Sequence, residues 1–260
     1  MIGTLLLLVW MQAASGTSPL TDAQQLFYNS RYAEAAARLT CASDDADLAQ
    51  CELRASALHF QIKRAIGEAA DKGKALAACG TVCAEALAAF DSATRQGQVI
   101  ARARLMKDPR DQTALFYLGK LDINHVWLYL GTLGRRTGWD EFHEAKRSLD
   151  AVLEAEPAHV RARVARAWMD YIVGTRVPWG TRWLLGGGNR KRGLSAVREA
   201  AKEPADFYTE VEADFALWEM LARDKQMAEA VVVARELQQR FPNNPDLPRF
   251  IEQNSKTGRK

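Results

Sequence analysis

EAKRSLDAVLEAEP, Glu144 to Pro157, is the stretch from which the fold can be read. Its apolar residues recur at helical rather than alternating spacing, and Ala, Leu, Glu, Lys and Arg are good helix formers. Pro157 cannot extend the helix it follows, because it lacks an N–H and its ring clashes with the preceding turn. A second stretch, EAVVVARELQQRFP from Glu229 to Pro242, begins on the same Glu-Ala and also reaches a proline twelve residues after that alanine. Three helix starts share one grammar: RYAEA (Arg31 to Ala35), EFHEA (Glu141 to Ala145) and QMAEA (Gln226 to Ala230). Each has a bulky apolar residue, a spacer, then Glu-Ala.

Outward from these stretches the pattern does not change. β-Branched runs are confined to Val231–Val233, and the periodicity predicts an all-α chain with helices near 21–29, 31–40, 45–67, 80–106, 112–133, 139–155, 159–174, 190–202, 206–224 and 226–240. Pro109, Pro157, Pro178, Pro204 and Pro242 fall where the periodicity breaks.

Helix pairs with a small alanine at the contact and a closing proline resemble the tetratricopeptide repeat (TPR) family. YLGTLGRRTGW, Tyr129 to Trp139, is similar to the Leu-Gly of a first repeat helix with an insertion in the turn. The resemblance covers about two-thirds of the chain beyond its first residues and is clearest over 206–242 and 112–157. It implies an α-α superhelix of about five helical hairpins. The Glu-Ala sites are not spaced by multiples of the roughly 34-residue period, so the units must be degenerate and carry insertions. Ala35, Ala145, Ala230 and Gly131 are expected to be helix-contact positions, with Phe27, Leu149, Trp168 and Trp218 in the core.

With 260 residues, 48% of them hydrophobic and 26% charged, the chain can bury a sizeable core. A net charge of +3 is too small to argue for nucleic acid. Residues 1–16 read as a secretory signal: an apolar run from Leu5 to Met11, too short to span a bilayer, is followed by small residues, with cleavage expected near Ser15 or Gly16. No Lys or Arg precedes the run, and the absence of a following Cys argues against a lipid anchor. The expected destination is the periplasm, with no transmembrane segment in the mature chain. Residues 17–106 then form Cys-containing hairpins, 107–245 the TPR-like repeats and 246–260 a flexible basic tail.

Four cysteines, Cys41, Cys51, Cys79 and Cys83, allow three disulfide connectivities in an exported protein. Pairing of sequence neighbours is the first choice, provided that Gly80 distorts the turn between Cys79 and Cys83. A four-Cys zinc site is the rival, although the spacings do not suit it.

No HExxH, nucleophile elbow, Walker loop or catalytic Cys-His signature is present, so neither a catalytic residue nor a metal or cofactor is expected. Asp122, His125 and Tyr129 lie on one stripe of the helix over 112–133, and with Trp139 they form a candidate ligand contact; an internally satisfied stripe is the alternative. Basic residues gather at Arg161, Arg163, Arg166, Arg182, Arg190, Lys191, Arg192 and Arg198, either as a solvated face or as a surface for an anionic partner. Among these, Arg182, Arg190 and Lys191 complete the candidate site. The glycines of WLLGGGNRKRGL, Trp183 to Leu194, are expected to open a helix capped by Asn189 rather than to cradle a phosphate, since no strand precedes them. The resemblance implies a non-catalytic scaffold holding a protein or peptide in a concave groove. The alternative is a periplasmic small-molecule-binding subunit of a solute transporter, which a closed pocket on the superhelix axis would favour. No nucleic-acid partner is expected.

Overall fold

The computed structural model describes residues 18–42, 46–135, 137–176 and 187–255. Among these the chain forms twelve α-helices and no strand: α1 (Pro19–Tyr28), α2 (Tyr32–Ala37), α3 (Leu48–Ile66), α4 (Lys72–Ala78), α5 (Thr81–Lys107), α6 (Gln112–Val126), α7 (Trp139–Ala155), α8 (Val160–Arg176), α9 (Arg190–Ala200), α10 (Phe207–Arg223), α11 (Met227–Arg240) and α12 (Asp246–Asn254). Four of the longer helices begin on a short polar side chain that accepts a hydrogen bond from a first-turn amide: Asp47 for α3, Asp111 for α6, Asn189 for α9 and Asp206 for α10. A six-residue π-helical turn, Trp127–Thr132, prolongs α6, so the helix expected over 112–133 changes hydrogen-bond pattern near its end.

Packing follows chain order: α3 lies on α5, α6 on α7, α8 on α9, α10 on α11 and α11 on α12. This order is compatible with a superhelix of hairpins. Ala35, Ala145 and Ala230 are fully buried, as a helix-contact position requires. The small partner of Ala145 is Gly119 and not Gly131. A Cβ on Gly119 would stand 2.8 Å from Leu149 Cγ and 3.4 Å from the Ala145 carbonyl, whereas one on Gly131 would meet nothing within 4 Å. Leu149 and Trp168 are buried, while Phe27 and Trp218 pack at the edge of the core.

Two helices escape the periodicity. The first, α4, buries no residue and therefore shows no apolar stripe. The second, α12, corrects the flexible-tail assignment over Asp246–Asn254, the rest of which, 256–260, lies outside the described residues: Leu247 is fully buried, and Phe250 and Ile251 pack against the core cluster of α8 to α11. Burial of those side chains offsets the entropy of ordering the segment.

The cysteines pair as neighbours, Cys41 with Cys51 and Cys79 with Cys83. Gly80, at φ +66°, breaks the backbone between α4 and α5, which brings the Cα atoms of the second pair to 5.6 Å. Two such bridges fit a chain that folds in an oxidising compartment.

The end of α1 and the turn after it meet the start of α12 and the turn before it. Asn244 Nδ2 donates to the Tyr28 carbonyl at 2.7 Å, and Ser30 Oγ donates to Asp246 at 3.0 Å. Arg64 pairs with the same carboxylate, and Tyr28 packs on Phe215 and Phe241 at 5.1 and 5.5 Å between ring centres. The order of contacts thereby closes on itself, a ring of contacts in which side chains of α3, α6, α8 and α10 meet in ion pairs.

Candidate functional site

Each of these four helices presents a line of polar and aromatic side chains at helical spacing: Glu52, Ser56, His59 and Lys63 on α3; Tyr117, Lys120, Asn124 and Trp127 on α6 and its π-turn; Arg161, Trp168 and Tyr171 on α8; Glu212, Glu219 and Arg223 on α10. At one end of the axis these lines meet in a charge-balanced cluster. Lys120 Nζ and Arg161 Nε each approach a different oxygen of Glu212 at 2.5 Å, and the same cations reach Glu52 at 3.6 and 3.5 Å. Asn124 and Ser56 fill the remaining sites on Glu52: Ser56 Oγ donates to its carboxylate at 2.9 Å, while Asn124 Nδ2 donates to Ser56 at 2.9 Å and to Glu52 at 3.3 Å. Burial pushes the Glu212 carboxyl up, but Arg161 and Lys120 outweigh it and hold the group at about 2.

At the other end the lines stay open. Glu219 Oε1 is shared by Arg223, at 2.6 Å, and Lys63, at 3.5 Å. These three side chains keep 33–38% of their surface exposed, against 4% for Glu52. Burial raises the Glu219 carboxyl, and Lys63 and Arg223 reverse that and bring it to about 2. Aromatic faces stand beside both cations: Lys63 lies 5.2 Å from the Phe60 ring centre and Arg223 5.7 Å from that of Trp168. Trp127 and Tyr171 pack edge-on against Trp168. His59 is buried, donates or accepts at Thr132 Oγ1 through Nε2 at 2.9 Å, and leaves Nδ1 without a partner; burial, then Lys63, pushes its pKa down to about 3, so the ring is neutral. A cleft of about 510 Å³ adjoins Arg223 and is lined by Tyr171, Ile172, Gly174, Thr175 and Arg190. We call this open end the axial recess.

The stripe singled out in the sequence faces elsewhere. Asp122 is fully buried between α5 and α7, where Gln98 Nε2 donates to it at 2.7 Å and Glu144, itself paired with Arg102, stands beside it. Burial, reinforced by Glu144, lifts the Asp122 carboxyl to about 8, so near neutral pH it is a protonated acid beside a carboxylate. His125 lies 3.6 Å from Glu141, and the Tyr129 hydroxyl donates to Asp91 at 2.7 Å. All three thus have a neighbour of opposite or complementary polarity within the chain, although Asp122 Oδ2 is buried without a hydrogen bond. Trp139 opens α7 and is 47% exposed.

Of the basic residues, Arg190 reaches the recess and pairs with Asp224 at 2.9 Å, Lys191 is exposed, and Arg182 lies outside the described residues. Arg161 belongs to the axial cluster. Arg163, Arg166, Arg192 and Arg198 pair with Glu203, Asp150, Asp170 and Glu229. The described arginines of the run are therefore paired with acids distant in sequence. Asn189 caps α9 by accepting from the Arg192 amide at 3.0 Å, as expected. Its neighbouring glycine has a packing reason: a Cβ on Gly188 would stand 2.4 Å from Val173 Cβ, so α8 and the start of α9 touch backbone to side chain there.

Among the described residues no group of three or more His, Cys, Asp or Glu side chains is placed to hold a metal, and no single helix is long and apolar enough to cross a membrane. Compared with known proteins, the sequence matches no family model, no curated protein and no solved structure.

Proposed function

We propose that this chain is an exported, non-catalytic binding protein built on TPR-like hairpins, with a small-molecule site in the axial recess. The carrying observation is the contrast between the two ends of the polar and aromatic stripes. At one end Glu52, Lys120, Arg161 and Glu212 satisfy one another and so occupy the inner face that a peptide in a concave groove would need. At the other, Lys63, Glu219, Arg223 and Arg190 remain partly open to solvent beside aromatic rings. Concavity, an apolar wall and a few convergent polar groups are what a ligand site requires.

The periplasm is the compartment that best suits two disulfides together with the N-terminal segment. A protein partner, the other reading of the repeat resemblance, would have to dock outside the ring, where Met106, Trp139 and Phe207 are exposed. Native mass spectrometry of protein taken from its own cell envelope, followed by thermal-shift screening of metabolites, tests the proposal. A co-purifying small molecule, or a ligand whose stabilisation is lost in Arg190→Ala, supports it. An empty mass, no stabilising metabolite and a crosslink from position 139 to a second protein would refute it.

A further inference from the structure

The two disulfides sit in different settings. Cys41 and Cys51 are both buried, in a core cluster shared with Leu48, Ile100 and Leu118. Cys83 is buried as well, but Cys79, at the junction of α4 and α5, is only half-buried. The second bridge therefore shows one of its cysteines to solvent and keeps the other inside. It also spans four residues of sequence against ten for the first, and a shorter loop constrains the unfolded chain less. Opening it costs the fold less than opening the first.

Among the described residues, little else holds α4. It buries no residue, and its polar contacts are local: Lys72 Nζ donates to the Gly67 carbonyl at 2.7 Å, and Lys74 pairs with Asp71 at 3.8 Å. Ala75 and Leu76, both partly buried, pack on the cluster that holds Ile62 and Ile66 of α3 and Phe90 of α5. Gly67 at φ +53° and Gly80 at φ +66° bound the segment. So α4 is a flap clasped to α5 by one bridge. The buried partner suits a leaving group: Cys83 is the third residue of α5, whose N-cap Gly80 brings no side chain and whose first turn holds no acid, Glu85 coming two residues later. Unpaired first-turn amides and the positive end of the helix dipole favour a thiolate there, and a stabilised thiolate leaves faster.

We infer that Cys79–Cys83 is a thiol-exchange site, opened by a dithiol reductant to release α4 while Cys41–Cys51 stays closed. A thiolate of the reductant attacks Cys79 Sγ, the accessible side; a bond forms between those two sulfurs, the Cys79–Cys83 bond breaks, and its electron pair leaves on Cys83 Sγ. The reductant's second thiolate then attacks its own sulfur in the mixed disulfide and expels Cys79 as a thiolate. Two electrons pass to the protein, the dithiol ends as a disulfide, and the two protons it sheds are taken up by Cys79 and Cys83. With the clasp open, the flap keeps only the packing of Ala75 and Leu76. None of this depends on the axial ligand site.

Timed reduction of the full chain with dithiothreitol, quenched with N-ethylmaleimide and mapped by peptide mass spectrometry, tests the inference. Cys79 and Cys83 are expected to be alkylated roughly 10-fold faster than Cys41 and Cys51, with far-UV circular dichroism still native. Amide exchange of that half-reduced protein should rise over residues 68–80 and stay low in α3. Cys79→Ala combined with Cys83→Ala should show the same rise with no reductant present. With glutathione, a monothiol, acid-quenched early samples should carry the adduct on Cys79. Equal or reversed order of reduction overturns the exchange site. Unchanged exchange over 68–80 in both the half-reduced protein and the double variant overturns the release of α4, and an adduct on Cys83 overturns the choice of entry sulfur.

Discussion

Replacing Glu212 by Gln removes one charge from a place where nothing can take over its role. Its two oxygens receive Lys120 and Arg161 at 2.5 Å, and the next carboxylate, Glu52, is more than 3 Å from either cation. The folded carboxyl sits at about 2 against an ordinary 4.5. At ~1.4 kcal/mol per unit of pH, that gap corresponds to about 3 kcal/mol of stability. The sign follows from the depressed value: the contribution is complete above pH 4.5 and is lost as pH falls through about 2. Gln at this position also leaves two buried cations facing one anion, for which losses of roughly 3–5 kcal/mol are typical. Urea denaturation followed at 222 nm should therefore show Glu212→Gln less stable by at least ~3 kcal/mol at pH 7, with the difference shrinking toward pH 2. Adding Lys120→Met restores charge balance, since Arg161 and Glu52 then pair alone, and should recover half or more of the loss. A single variant within ~1 kcal/mol of wild type at pH 7, or one with an unaltered acid limb, would show that Lys120 and Arg161 do not depend on Glu212 for their neutralisation.

Gly119→Ala should cost about 1–3 kcal/mol by overpacking against Leu149. Gly131→Ala should be neutral or slightly stabilising by the same denaturation assay, and equal effects at the two sites would refute the assignment of the α6–α7 contact. Asp122 has a raised folded pKa, so its contribution is present below pH 3.8 and is lost as pH rises through about 8. Melting temperature should thus fall between pH 5 and 9 in wild type and flatten in Asp122→Asn; a parallel slope would count against the protonated acid. Intact-mass analysis under alkylating, denaturing conditions should find no free thiol, and Cys41→Ser with Cys51→Ser should lose about 2–4 kcal/mol. Asn189→Ala should cost about 1 kcal/mol, read from the urea midpoint, through the lost cap of α9.

The helices were legible because their determinants are local. Pro157 and Pro242 end α7 and α11 within two residues, and Asn189 and the Glu-Ala alanines sit where helix starts and contacts require them. What escaped was either without a stripe, as in α4, or non-local. Glu52, Lys120, Arg161 and Glu212 each look like one more solvated charge on an amphipathic helix. Only the closing of the ring turns them toward one another. A signal was present nonetheless: Tyr117, Lys120, Asn124 and Trp127 recur at helical spacing, as do Glu52, Ser56, His59 and Lys63. Such mixed polar and aromatic lines on several helices mark an interior that is not purely apolar. The stripe of Asp122, His125 and Tyr129 was found by the same spacing, but the sequence could not say that α5 and α7, rather than the axis, receive it.

Joining Tyr28 to Asn244 and Ser30 to Asp246 changes how the molecule comes apart. An open array of repeats unfolds as a one-dimensional chain, fraying from its terminal units and needing polar caps there. With the two ends of the described chain bonded, its first and last helices are tied rather than left to fray, and losing either end breaks two interfaces instead of one. Amide exchange in α1 and α12 should accordingly track the global unfolding free energy rather than the near-zero protection of a chain end. The same closure makes the final contacts span more than two hundred residues of sequence, which raises contact order and delays folding until synthesis is complete.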